Sequence, residues 1–150
     1  MEENISTIPC FVADNSFLAS YLLQNEEYSE QAESDIKNLM LSNGQIYVPQ
    51  IFWFEIGNVL LCNSRPNKKT GIPRITKTEL MDNKYDLGLL PIYTDLQPDE
   101  EIQTRIFTYA EEYGLTYYDA AYLELASRHN LPLKTYDEDL KAAYEKMKSL

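Results

Sequence analysis

Short apolar runs alternate with longer amphipathic stretches along this chain. Ile8 to Ala13 is a compact apolar run and reads as a buried strand. Asn15 or Ser16 can cap the helix after it, which carries Phe17, Leu18, Tyr21 and Leu22 on one side. Glu26 to Leu41 reads as a polar helix with an apolar stripe at Ala32, Ile36, Leu39 and Met40, ended by Asn43 and Gly44. Ile46 to Val48 is a second short strand. Ile51 to Leu61 follows Pro49 and is apolar nearly all round, which predicts a helix buried against a sheet.

Residues 63–74, with Pro66, Gly71 and Pro73, read as a loop. Ile75 to Leu87 predicts a helix stopped by Gly88, and Pro91 to Tyr93 a third strand. Pro98, Asp99, Glu100 and Glu101 form an acidic helix start, as the helix dipole favours, and that helix runs from there to Tyr113. Gly114 ends it. Tyr117 to Arg128 is a helix, Leu131 to Thr135 a strand and Glu138 to Met147 a last helix. Strands alternating with helices imply an α/β fold, with a mostly parallel sheet covered on both faces. No repeat, low-complexity tract or linker divides the chain, and 150 residues suit a single domain spanning 1–150.

Composition narrows the functional classes. A hydrophobic fraction of 44% excludes wholesale disorder. A net charge of −11 argues against a nucleic-acid coat protein and fits a basic protein partner, without excluding a nuclease whose catalytic groups are acids. No window approaches a bilayer-spanning length, and MEENISTIPC opens acidic and polar, unlike a secretory leader. Cys10 and Cys62 form no C-x-x-C pair, so buried free thiols in a reducing cytoplasm are expected.

Four acids stand out by position. Asp14 follows the first strand, Asp119 opens a helix, and Asp137 follows the last strand. Glu55 lies within the most apolar helix, among Phe52, Trp53, Phe54, Ile56 and Val59. Open α/β sheets gather chemistry at the carboxyl ends of their strands. Four carboxylates in one cleft repel unless a cation joins them, so the pattern suggests a divalent-metal site. Each aspartate also has a plainer reading. Asp14 and Asp137 are placed to cap helices, and Thr116 to Asp119 resembles a capping box. A carboxylate on a core helix is harder to dismiss, although Glu55 could occupy a narrow solvent-facing stripe.

Asn58 shares a helix face with Glu55. Ser16 and Thr135 each lie two residues from an acid, where a hydroxyl can orient a carboxylate or simply cap locally. The single histidine, His129, rules out a two-histidine mechanism. Arg65, Lys68, Lys69, Arg74 and Lys77 make a basic stretch that suits RNA phosphates or mere solvation. Tyr117 and Tyr118 adjoin Asp119.

The segments VADNSFL, VPQIFWFEIGNVL and GLTYYDAAYLELASRHNLPLKTYDEDL, in this order, resemble PIN domains, and in particular the VapC-like ribonuclease toxins of bacterial toxin–antitoxin pairs. The resemblance spans Cys10 to about Ala143. It implies a PIN-like three-layer α/β/α domain and a metal-dependent endoribonuclease. Asp14, Glu55, Asp119 and Asp137 match the family's acids; Mg²⁺ or Mn²⁺ is the expected cofactor, RNA the substrate, a small antitoxin the partner and a homodimer the assembly. Asp14 and Asp119 are the expected direct ligands. Glu55 and Asp137 would bind directly, through water, or at a second metal. An antitoxin tail would find walls at Tyr21 and Leu22. The chain departs from the family in residues 63–77 and in its acidity. A PIN-like protein-binding module with little nuclease activity is the alternative. A phosphotransfer receiver domain lacks its acidic pair and late lysine here.

Overall fold

The computed structural model describes residues 8–24 and 27–150. Residues 1–7, with most of the polar N-terminus, and Glu26, the expected start of the second helix, lie outside them. The described elements run β1 (Phe11–Ala13), α1 (Asn15–Leu23), α2 (Ser29–Leu41), β2 (Ile46–Val48), α3 (Ile51–Asn63), α4 (Lys77–Leu89), β3 (Ile92–Thr94), α5 (Glu100–Tyr113), α6 (Tyr117–His129), β4 (Leu133–Lys134) and α7 (Glu138–Lys148). The sheet order is β3-β2-β1-β4, and every neighbouring pair is parallel. Helix α1 packs on α2, α3 and α4, while α6 packs on α5 and α7 and on strands β1, β2 and β4. This is a three-layer α/β/α fold. Among the described residues no helix is long and apolar enough to cross a membrane.

The strands are short and fully sandwiched, so apolar runs rather than alternation encode them. Val12, Ala13, Ile46 and Val48 are completely buried. Two expected strands shrink. Ile8 to Cys10 precedes the paired residues of β1, and β4 keeps only Leu133 and Lys134 of the Leu131–Thr135 run. Pro132 accepts from the Val12 amide just ahead of β4, whereas Ile8 and Pro9 are exposed.

Local chemistry sets the helix ends. Asp14, rather than Asn15 or Ser16, caps α1, accepting from the Phe17 amide. Thr76 and Glu79 form a full capping box, so α4 begins at Lys77 instead of Ile75. Gly88 does not stop α4, which runs on to Leu89 ahead of Pro91. Asn43 takes a left-handed conformation after α2. Gly44 follows because no side chain fits there: a Cβ would stand 1.8 Å from the Pro9 carbonyl oxygen.

Helix α3 corrects the sequence reading most. It buries only Phe52, Ile56 and Leu60, one stripe at four-residue spacing. Phe54 is 77% exposed and Trp53 40%, with the Trp53 indole donating to the Thr94 hydroxyl at 2.8 Å. Met40, assigned to the α2 stripe, is exposed too. The cysteines are free, but Cys62 is exposed and Cys10 only half-buried.

On α6, Glu124 is 1% exposed, a buried charge that requires partners. Arg128 bridges it to Asp95, and Arg105 reaches it from α5 at 3.4 Å. These groups hold α6 to α5 and to the segment after β3.

Candidate active site

The chain builds β1, β2 and β3 in one direction across the sheet and then returns to place β4 on the other side of β1. The strand order therefore reverses between β1 and β4, where open α/β sheets leave a crevice at their carboxyl ends. Asp14 follows β1 directly, and Thr135, Tyr136 and Asp137 follow β4.

Asp14 is 4% exposed and accepts three hydrogen bonds. The Ser16 hydroxyl donates to Oδ1 at 2.7 Å, the Phe17 amide to Oδ1 at 3.1 Å and the Thr135 hydroxyl to Oδ2 at 2.7 Å. Each hydroxyl also accepts: Ser16 from the Tyr136 amide at 2.9 Å, Thr135 from the Asp137 amide at 3.0 Å. Ser16 and Thr135 thus orient the Asp14 carboxylate and tie the start of α1 to the turn after β4. Asp137 is exposed and caps α7 through the Leu140 amide at 2.9 Å.

Asp119 stands in the first turn of α6, half-buried, with its amide bound by Thr116 at 3.1 Å. Thr116 caps the helix through that amide, and the Asp119 carboxylate lies within charge range of Asp137 and Asp139. One turn on, the Tyr122 hydroxyl donates to Glu55 Oε1 at 2.7 Å. Glu55 is half-buried, and this bond joins α3 to α6 across the site. Asn58 is exposed and accepts from the Cys62 thiol at 3.8 Å, so its described contact lies along α3.

Sequence reasoning did not single out Tyr122, although it lies three residues after Asp119 and so shares its helix face. Its ring is almost wholly buried. Burial raises its phenol far above the usual range, and the Glu55 carboxylate adds to the rise.

The acids feel one another. Burial raises the Asp14 carboxyl, opposed by bonds from Thr135, Ser16 and Phe17, and the Asp137 charge raises it further. Burial also raises Glu55; the Tyr122 bond opposes this, while Asp119 and Asp14 add to it. Asp119 is raised by burial and by Asp137, with the Thr116 bond pulling down and Asp139 pushing up. Asp139, in the first turn of α7, is a further contributor that sequence reasoning passed over.

Oxygen-only donors whose ionised forms are disfavoured by burial and mutual repulsion fit a hard divalent cation, which would relieve both costs. Among the described residues, however, no three His, Cys, Asp or Glu side chains already stand at coordinating distances. The groups suit such a cation in chemistry and would have to draw together around it.

The basic stretch begins just past the end of α3, about 15 Å along that helix from Glu55. His129 lies at the far end of α6, about 15 Å along the helix from Asp119.

The PAE2754 protein from Pyrobaculum aerophilum shares this fold, with a TM-score of 0.63 at 20% identity over 93% of each chain. So does VapC20 of Mycobacterium tuberculosis, described as a sarcin-ricin loop cleaving toxin, with a TM-score of 0.59 at 13% identity over 89% of this chain and 94% of that one. No curated protein matches the sequence. The PIN domain family matches residues 11–146, a span that holds all four acids, both hydroxyls on Asp14 and the Tyr122–Glu55 bond. The chain belongs to the PIN domain family.

Proposed function

We propose that this protein is a Mg²⁺- or Mn²⁺-dependent endoribonuclease acting as the toxin of a toxin–antitoxin pair. The observation that carries the reading is the placement of Asp14 and Asp137 just after β1 and β4, at the switch point, with Asp14 held by Ser16, Thr135 and the Phe17 amide and with Glu55 tied by Tyr122 to the helix that carries Asp119. Membership in a family of nucleases supports it. The fold shared with a VapC toxin is consistent with it.

Asp14 and Asp119 are the proposed direct ligands, with Glu55 and Asp137 completing the oxygen set. Those residues would hold a divalent cation, whose chemistry there would be activation of water toward the phosphodiester and offset of charge on the phosphate. The protein's own part is positioning. Ser16, Thr135 and the Phe17 amide fix both Asp14 oxygens, with two bonds on Oδ1 and one on Oδ2, so Oδ2 keeps a lone pair for a cation. Tyr122 occupies one Glu55 oxygen and leaves the other free. Asp137, exposed, spends Oδ1 on the α7 cap and would offer Oδ2. His129 is too distant to move protons here, so that role falls to the carboxylates.

A basic antitoxin tail complements the net charge of −11, and an arginine or lysine of that tail could stand in for the cation. Tyr21, Ile36, Met40 and Leu41 line an open groove of about 390 Å³ that suits its apolar residues. Leu22, expected in that wall, is buried instead. Exposed apolar side chains on the adjoining helices α3 (Trp53, Phe54) and α4 (Met81, Tyr85, Leu89) give a homodimer surface to cover. A cytoplasmic location accords with this role.

The test is RNA cleavage by the purified chain with Mn²⁺ or Mg²⁺, beside Asp14→Asn. Asparagine remains a good helix cap, so the variant should fold, fail to cleave RNA and relieve growth arrest. Wild-type protein that leaves RNA intact under every divalent cation would favour the protein-binding alternative. Sequencing of RNA ends after induction identifies the substrate, and co-expression with the neighbouring gene product tests the antitoxin.

A further inference from the structure

A cavity of about 650 Å³ opens between α2, β4 and α7, immediately beside the acid crevice. The two spaces share a wall. Thr135 and Tyr136 line the cavity, while the Thr135 hydroxyl holds Asp14 and the Tyr136 amide holds Ser16. Three lysines also line it: Lys134 from β4, and Lys141 and Lys148 from α7. Lys141 and Lys148 are seven residues apart and so lie on one helix face. Two acids accompany them. Asp35 pairs with Lys134 at 3.6 Å, and Glu145 lies between the α7 lysines. Three cations against two acids is a local excess of positive charge in a chain with 13 basic and 24 acidic residues.

Resting on the nuclease reading above, we propose that this groove binds the RNA strand next to the scissile bond, with Lys141 and Lys148 on its phosphates. An acidic crevice repels a polyanion, so the substrate needs a nearby cationic hold that does not quench the acids. The groove supplies it from the side of β4 away from β1, where the sheet ends. Its volume is within the range of sites for ligands the size of a nucleotide. Tyr136 is not a base platform, because Phe17 and Tyr28 stack on its ring at 5.5 and 4.2 Å. The Tyr144 ring, also in the lining, carries the Lys148 ammonium 5.3 Å from its centroid, so the groove offers cations to phosphates and holds the strand without reading its sequence.

The experiment compares full-length wild type, Lys141→Ala/Lys148→Ala and Lys84→Ala, an exposed lysine on α4, with fluorescein-labelled single-stranded RNA. Anisotropy in chelator gives binding and its salt dependence; initial rates with Mn²⁺ give KM and kcat. The double variant should bind about tenfold more weakly and lose about 1.4 from the slope of log affinity against log salt. Its KM should rise with kcat nearly unchanged, and Lys84→Ala should match wild type. Wild-type cleavage with no change in the double variant, or an equal loss in Lys84→Ala, overturns the groove and leaves the nuclease reading standing. RNA binding that depends on these lysines without any cleavage does the reverse.

Discussion

Replacing Tyr122 by Phe keeps the buried ring and removes one hydroxyl, which donates to Glu55 Oε1 at 2.7 Å. Hydrogen bonds to charged groups contribute about 1.5–3 kcal/mol, and the half-exposed Glu55 can recruit water in partial replacement. A loss near the lower end, about 1.5 kcal/mol, is therefore expected. For a chain of this length the unfolding entropy near the midpoint is about 0.3 kcal/mol per degree, so Tm should fall by about 5 °C. The dependence on pH carries the mechanism. Burial raises Glu55 and the Tyr122 bond opposes that rise, so the variant's Glu55 sits higher still. A carboxyl with a raised folded-state pKa costs nothing while protonated, and its cost appears as pH climbs through that value. The deficit against wild type should be small in acid and full near neutrality. If Glu55 works as an anion, the acid limb of the Mn²⁺-dependent cleavage profile should also move to higher pH, partly recovered by more Mn²⁺. Calorimetry and cleavage rates between about pH 5 and pH 8 measure both. Identical Tm deficits at every pH, with coincident rate profiles, would refute the idea that Tyr122 tunes Glu55.

Without metal, the raised Asp14, Glu55 and Asp119 contribute stability that is full in acid and lost as pH rises through their folded-state values. Urea midpoints in chelator should fall from about pH 4 toward neutrality, and fall less in Asp119→Asn; an equal fall would contradict the coupling. At neutral pH, Mn²⁺ at about a hundred times its Kd should add about 2.7 kcal/mol, or about 9 °C in Tm, with a smaller gain in Asp119→Asn. A melting curve indifferent to millimolar Mn²⁺ would count against the site. Gly44→Ala should cost more than about 3 kcal/mol, because its Cβ meets the Pro9 carbonyl at 1.8 Å and Leu39 Cγ at 2.9 Å; soluble protein with unchanged Tm would contradict that geometry.

The alternation of apolar runs and amphipathic stretches made the layers of this fold legible, because a buried parallel strand and a one-sided helix leave distinct local marks. Strand lengths were not legible, since pairing at β4 depends on where β1 ends rather than on the run Leu131–Thr135 itself. Helix α3 misled because a run such as IFWF records apolar character without saying which neighbour it meets: Phe52 meets the core and Phe54 meets solvent. At the site, Asp14 and Asp137 proved to be helix caps, and a cap that also carries charge beside other acids does not exclude the second reading. Ser16 and Thr135 were recognisable by their spacing from those acids. Tyr122 was not, because a tyrosine among twelve gives no sign that its hydroxyl meets a glutamate 67 residues away.

The Thr135 bond to Asp14 and the Tyr136 bond to Ser16 join residues separated by 121 and 120 positions along the chain. Closing so long a loop is entropically slow, and contacts of this span form late in folding. During synthesis from the amino end, β1, α1 and the Asp14 carboxyl exist well before Thr135 and Tyr136 have been made. A nascent or partly folded chain accordingly has Asp14 held only through Oδ1, by Ser16 and the Phe17 amide, with Oδ2 not yet bound by Thr135. Both Asp14 oxygens are held as the structure shows only when the segment from β4 onward docks, so the order of folding itself delays the complete anchoring of this carboxylate.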